Sequence, residues 1–278
     1  MSRLRISAIS YLNTAPLMWD FEHGEAGQDF DVSFTIPSAC AEALREGSAD
    51  IGIIPAAAYA TIADLLVLPG VAIASKQAVR SILLVSKVSL EYVKSVALDT
   101  SSMTSVALTK VIFNKWLGGV ASFTSMEPDL PNMLQMHDAA LLIGDPALEV
   151  DRSQYYVFDL AEEWIRRTGK PFVFAFWAVR KAALQDVPAH MDLAAIFQES
   201  RDHGLEPDAL NQIVQVWAAR LPLTEAEIRI YLTENIHYRL DSECLAGLQL
   251  FYRYATECGA LPAPPALRFL EVASRAGR

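Results

Sequence analysis

The chain has 278 residues, 52% of them hydrophobic and 20% charged, with a formal net charge of −10. That length and composition suit one large or two medium globular domains and exclude an intrinsically disordered chain. The acidic balance, without basic clusters, argues against a nucleic-acid partner, and no apolar run reaches the roughly 18 residues of a membrane span.

The pattern opens with a strand over 4–9, LRISAI, which runs into Ser10, Tyr11, Asn13 and Thr14 and then into a helical segment with Pro16. A second strand is expected over 30–36. Residues 37–47 predict a helix with Ser38 as N-cap and Gly47 as its stop. A short buried strand over 49–55 is closed by Pro55, and VRSILLVSK over 79–87 is the next strong strand. The pattern then restarts with a strand over 94–99. Residues 100–119 begin with five hydroxyl side chains among six and continue as a helix. Leu108, Ile112 and Trp116 recur there at i, i+4 and i+8, and Gly118 ends it. The apolar strand within 138–148 stops at Gly144-Asp145-Pro146, and a long apolar strand covers 171–179. From about residue 182 the chain turns helical, and Leu245, Leu248, Tyr252 and Ala255 line one face of a helix near 241–258.

Strands alternating with helices predict a largely parallel sheet with helices on both faces. The restart predicts two α/β lobes. Residues 1–87 and 176–278 would form the first and 88–175 an inserted second. Segments near 82–92 and 172–180 would then cross between lobes, an arrangement that permits hinge closure over a cleft.

Four polar interruptions could carry chemistry, because strand ends that meet helix N-termini are where open α/β sheets bind ligands. At the first, Asn13 either donates two N–H bonds to a carboxylate or caps a helix. At the second, Arg80 supplies charge and Ser81 a hydrogen bond. Alternation along a strand sends them to opposite faces, so at most one enters a given cleft, and both could equally be an ordinary strand edge. At the third, the backbone N–H groups of 103–105 with the Thr104 and Ser105 hydroxyls form a cradle for an anion. Helix capping needs only one or two such residues. At the fourth, Gly144 allows close backbone approach, and Asp145 is a base, an orienter or an N-cap before Pro146.

Other chemistries lack their residues. Cys40, Cys244 and Cys258 are odd in number and widely spaced, without CxxC or Cys/His clusters, so neither disulfides nor zinc is indicated. No nucleophile elbow, Walker pattern or paired-His motif occurs. The five histidines, His23, His137, His190, His203 and His237, all lie outside the polar strand ends. The first residues do not form a signal peptide, so a reducing cytoplasm is the expected location.

Together, ISYLNTAPL, VRSILLVSK, ALDTSSMTSVAL, LLIGDPAL, DLAEEWIRRTGKPFVFAFWA and LAGLQLFYRYA resemble the chorismate dehydratase family of the futalosine route to menaquinone. The resemblance runs from about residue 4 to 258. It implies a two-lobe fold like the type II periplasmic binding proteins, with the ligand, chorismate, between the lobes. It also implies dehydration of chorismate to 3-[(1-carboxyvinyl)oxy]benzoate by a carbon–oxygen lyase without cofactor or metal. By motif, Asn13 and Ser81 fall on the family's residues for the enolpyruvyl carboxylate. Ser10, Tyr11, Arg80, Ser102, Thr104, Ser105, Gly144 and Asp145 complete the expected substrate site. The base is then the substrate's own enolpyruvyl carboxylate, with Asp99 and Asp145 as protein alternatives. The related 1,4-dihydroxy-6-naphthoate synthase usually opens with an SPCPNDT-like stretch where this chain has SYLNT, and a cytoplasmic carboxylate binder or sensor on the same fold is the rival reading. The cleft is expected to be closed and poor in water.

Overall fold

A computed structural model describes residues 3–119, 121–188 and 190–271. The chain first lays down β1 (Leu4–Ile9), β2 (Phe30–Thr35), β3 (Ile51–Pro55) and β4 (Leu65–Ser75). Next come β5 (Ile82–Ser86), β6 (Ser95–Asp99), β7 (Ser122–Met126), β8 (Ala139–Ile143) and β9 (Tyr156–Asp159). The chain then returns as β10 (Phe172–Arg180). Two five-stranded sheets result, ordered β2-β1-β3-β10-β4 and β7-β6-β8-β5-β9. In each, the fourth strand pairs antiparallel with both neighbours while the first three pair in parallel. The expected largely parallel sheet is therefore two mixed sheets of the same design. The reversed strand in each is the first one laid down after the chain crosses over.

Strand β5 was expected in the first lobe, but it pairs with β8 and β9 in the second sheet. By sheet membership the exchanges fall within 76–81 and just before β10, not at 87/88 and 175/176. An apolar run such as ILLVS fits either sheet, and its partner is chosen by distant strands. The strand also starts later than 79, because Arg80 takes a left-handed conformation with φ 64°. Three strands carried no sequence expectation. β4 is interrupted by Pro69-Gly70, β7 is an edge strand with mostly exposed residues, and β9 has only four residues.

β10 is buried along nearly its whole length, as its unbroken FVFAFWAV run requires. Trp177 packs on Phe197 of the helix Leu193–Gly204 at 4.7 Å between ring centres, and Phe172 on Phe251 of the helix Ser242–Glu257 at 5.0 Å. The helix Pro37–Glu46 ends at Gly47, whose φ of 79° suits glycine. Pro37 takes its first position, so Ile36, not Ser38, occupies the cap. The expected helix after β1 is a 3-10 stretch, Leu12–Met18, followed by a short α-helix, Trp19–His23. Pro16 lies inside it and lacks the N–H that a continuous α-helix needs. The expected helix over 100–119 begins at Thr104 and ends at Trp116. Residues before it form a turn in which Asp99 Oδ1 accepts the Ser101 N–H at 2.8 Å and its hydroxyl at 2.6 Å.

Candidate active site

The C-terminal ends of β1, β6 and β8 face one another across the two sheets. They border a cleft, partly open to solvent, with a free volume of about 50 Å³. Tyr11 and Asn13 come from the stretch after β1, Ser102, Thr104 and Ser105 from the turn after β6, and Gly144 from the end of β8. Ile9, Ile73, Ile82, Ile143 and Phe174 supply apolar walls. Among the described residues, the lining contains no Lys, Arg or His.

The polar side chains differ in what they can offer. The cap of the 3-10 stretch is Tyr11, with no side-chain capping bond, so Asn13 does not act as an N-cap. Asn13 Oδ1 accepts the Thr14 hydroxyl at 3.3 Å, and Asn13 lines the cavity. Ser102 Oγ accepts the Ser105 N–H at 3.3 Å and keeps its own proton for another partner. Thr104 was expected to present a free hydroxyl. Instead it donates to the Phe174 carbonyl at 3.0 Å and accepts the Ala57 N–H at 3.1 Å, so its proton is already committed. The Ser105 hydroxyl makes no hydrogen bond among the described residues and faces the cavity.

Gly144 is required twice over. Its φ of 66° with ψ of −145° is open essentially to glycine alone, and an added Cβ would lie 2.5 Å from the Tyr11 ring. Its N–H donates to the Ser81 carbonyl at 2.8 Å, so the turn contributes room and not a donor. Asp145 is the first helical residue after it, not the N-cap, which is Gly144. Its carboxylate accepts the Leu12 N–H at 3.0 Å across the two lobes. Burial pushes Asp145 up to about 6. Burial also raises Asp99, whose oxygens are taken by Ser101 and the Ile143 N–H. That leaves Asp99 a holder of the turn.

Four expected residues, Ser10, Arg80, Ser81 and Asp145, lie off the cavity wall. Ser10 is exposed and faces a neighbouring open groove with Trp19, His23, Trp217 and Arg220. Arg80 belongs to the crossing segment, and its backbone N–H donates to Asp159 Oδ2 at 2.6 Å. Neither Arg80 nor Ser81 lies within a strand, so the alternation argument does not apply to them. Ser81 is fully buried between Ile82 and the Gly144 turn. Its hydroxyl accepts a 2.8 Å bond from Tyr231, a residue that sequence reasoning passed over.

A metal finds little support elsewhere. His237, Asp241 and Cys244 place ligand atoms within 4.8 Å of one another. The Lys76 ammonium sits 2.9 Å from Asp241 Oδ2 and occupies that spot with positive charge. None of the three lines the cavity.

Comparison with known proteins agrees with this architecture. The sequence profile of a family described as menaquinone biosynthesis matches residues 4–257. A chorismate dehydratase of Thermus thermophilus is 30% identical over 259 residues, covering 87% of this chain and 91% of that protein. Among solved structures, a protein of Archaeoglobus fulgidus aligns with a TM-score of 0.72 at 16% identity over 93% of this chain and 98% of its own. The periplasmic aliphatic sulphonate binding protein of Escherichia coli aligns with a TM-score of 0.67 at 20% identity over 100% of this chain and 95% of its own. The fold is thus that of the two-lobe periplasmic binding proteins, and the chain belongs to the menaquinone biosynthesis family.

Proposed function

We propose that this chain is a chorismate dehydratase, a hydro-lyase that converts chorismate to 3-[(1-carboxyvinyl)oxy]benzoate and water. The observation that carries this reading is the cleft between the strand ends, whose polar lining is neutral: Tyr11, Asn13, Ser102, Thr104 and Ser105. Asn13 and Ser81 hold the enolpyruvyl carboxylate. Ser102, Ser105 and the unpaired N–H groups at the start of the helix Thr104–Trp116 take the ring carboxylate. Tyr11 covers the ring beside Gly144.

The reaction removes the C3 proton and the C4 hydroxyl of chorismate. Deprotonation at C3 moves negative charge through the ring alkene onto the C1 carboxylate. Loss of hydroxide from C4 makes the ring aromatic, and the hydroxide leaves with the abstracted proton as water. Aromatisation supplies much of the driving force, and no redox or group-transfer step arises. The enzyme has to orient the substrate and stabilise developing charge in a water-poor site. The enolpyruvyl carboxylate itself takes the C3 proton. Neutral donors leave it basic, where a Lys or Arg partner would depress its pKa. We place the activity in the cytoplasm, where Cys40, Cys244 and Cys258, all free, remain thiols. No helix among the described residues is long and apolar enough to cross a membrane.

The test is to mix purified protein with chorismate, follow the ultraviolet spectrum from diene to aromatic product, and identify the product by mass. Chorismate bound but unchanged would replace this reading with that of a carboxylate-binding protein. Complete loss of turnover in Asp145→Asn, with binding intact, would move the base from the substrate to Asp145.

A further inference from the structure

The segment that crosses from β4 to β5 is braced by an unusual element. The helix Glu225–Ile230 does not stop at its end but continues into one π-helical turn, Tyr231–Asn235. Such turns are rare and reset the direction of the side chains they carry. This one docks on the crossing segment at three points. Gln77 Nε2 donates to the Glu234 carbonyl at 2.6 Å, Asn235 Nδ2 donates to the Ala78 carbonyl at 2.9 Å, and the Tyr231 hydroxyl reaches Ser81 Oγ at 2.8 Å. Tyr231 and Ser81 are both fully buried.

The direction of these bonds matters for Ser81. A hydroxyl has one proton, so a serine that accepts a bond is free to donate its own elsewhere. Tyr231 gives its proton to Ser81 Oγ. The Ser81 proton has no acceptor among the described residues. Its neighbours Ile82 and Gly144 line the cavity.

We propose that Tyr231 is a positioning residue for the dehydration, which holds Ser81 as an acceptor from behind so that the Ser81 hydroxyl donates to the substrate carboxylate. The ordered bonds run from Tyr231 to Ser81 to substrate. Tyr231 stays in α-helical register, its N–H bonding the Glu227 carbonyl, and the π-helical turn after it sets Glu234 and Asn235 against the crossing segment. This inference rests on the proposed dehydratase reading.

The experiment compares steady-state kinetics of the full chain with Tyr231→Phe, Ser81→Ala and their double variant, and with 4-aminophenylalanine placed at 231. Tyr231→Phe should lower kcat about tenfold to a hundredfold with KM nearly unchanged, because alignment is lost and binding is not. In the Ser81→Ala background the same change should do almost nothing, since its target is gone. The 4-amino analogue keeps both ring shape and a donor, and should recover most of the lost kcat. A merely structural tyrosine would give no such rescue. Wild-type kcat in Tyr231→Phe, losses that multiply in the double variant, or failure of the amino analogue to rescue would each overturn the role of Tyr231. Absence of turnover in the wild type would overturn the dehydratase reading first, and the role of Tyr231 with it.

Discussion

Ser81 and Asn13 carry the sharpest expectations because each is a neutral, buried donor. A hydrogen bond to a charged carboxylate contributes roughly 1.5–3 kcal/mol. Ser81→Ala removes one oxygen and creates little cavity, so the fold should survive while turnover falls about 10²-fold. Asn13→Asp is nearly isosteric but sets a carboxylate against the substrate's own. Turnover should be lost in protein whose circular dichroism matches the wild type, and normal turnover would return Asn13 to a structural role. Asp145 supplies a pH dependence of stability. Its folded pKa, about 6, lies above the ordinary 3.8, so the folded state binds the proton more tightly than the unfolded chain. The stability this contributes is present in full below 3.8 and is lost as pH rises through about 6. Asp145→Asn keeps an acceptor for the Leu12 N–H without the buried charge. Its melting temperature should exceed that of the wild type at pH 8 by about 2–4 °C and match it near pH 4, a difference scanning calorimetry resolves.

At the scale of elements, one carboxylate ties the crossing segment to the second sheet. Asp159 accepts N–H bonds from Val79 at 3.2 Å, Arg80 at 2.6 Å, Ala161 at 3.0 Å and Glu162 at 3.2 Å. It thus caps the helix Leu160–Thr168 and fixes the backbone that delivers Ser81. It also holds Arg80 in its left-handed conformation, which costs a non-glycine residue roughly 1–2 kcal/mol. Asp159→Ala leaves four donors without this partner. It should destabilise the protein by about 3 kcal/mol or more in denaturant titration, and kcat should fall as well, because Ser81 follows Arg80 directly. Unchanged kcat in folded Asp159→Ala would mean that the crossing segment is held by the π-helical turn alone.

At the scale of the molecule, the lobes meet through a few specific bonds. Leu12 N–H reaches Asp145, and Thr104 bonds Ala57 and Phe174 of the first sheet's side of the cavity. A free volume of about 50 Å³ is too small for chorismate, so its entry requires the lobes to part, and the two crossing segments are where the chain can flex. Chorismate should therefore compact the protein in small-angle scattering. Thr104→Val keeps the shape and removes both hydroxyl bonds. It should shift the free protein toward an open form and raise KM several-fold with a smaller effect on kcat. Identical scattering with and without chorismate, and an unaltered KM in Thr104→Val, would refute closure.

What the sequence determined alone is what burial and backbone geometry dictate locally. The apolar runs of β1, β3, β8 and β10 read as strands because side chains buried on both faces leave no alternation to hide. Gly47 and Gly144 read as breaks because left-handed backbone favours glycine. The hydroxyl-rich turn before Thr104 and the polar ends of β1 and β8 read as a site, since the C-terminal ends of strands in such sheets face a crevice. The tertiary structure alone decided partners. It placed β5 in the second sheet, because ILLVS offers equal burial in either sheet and only long-range pairing distinguishes them. It committed the Thr104 hydroxyl to Ala57 and Phe174, and so removed an expected donor. It joined Ser81 to Tyr231 across 150 residues through a π-helical turn that no periodicity announces. A hydrogen bond depends on where two atoms meet, and for groups so far apart in the chain that meeting is set by the packing of the whole molecule.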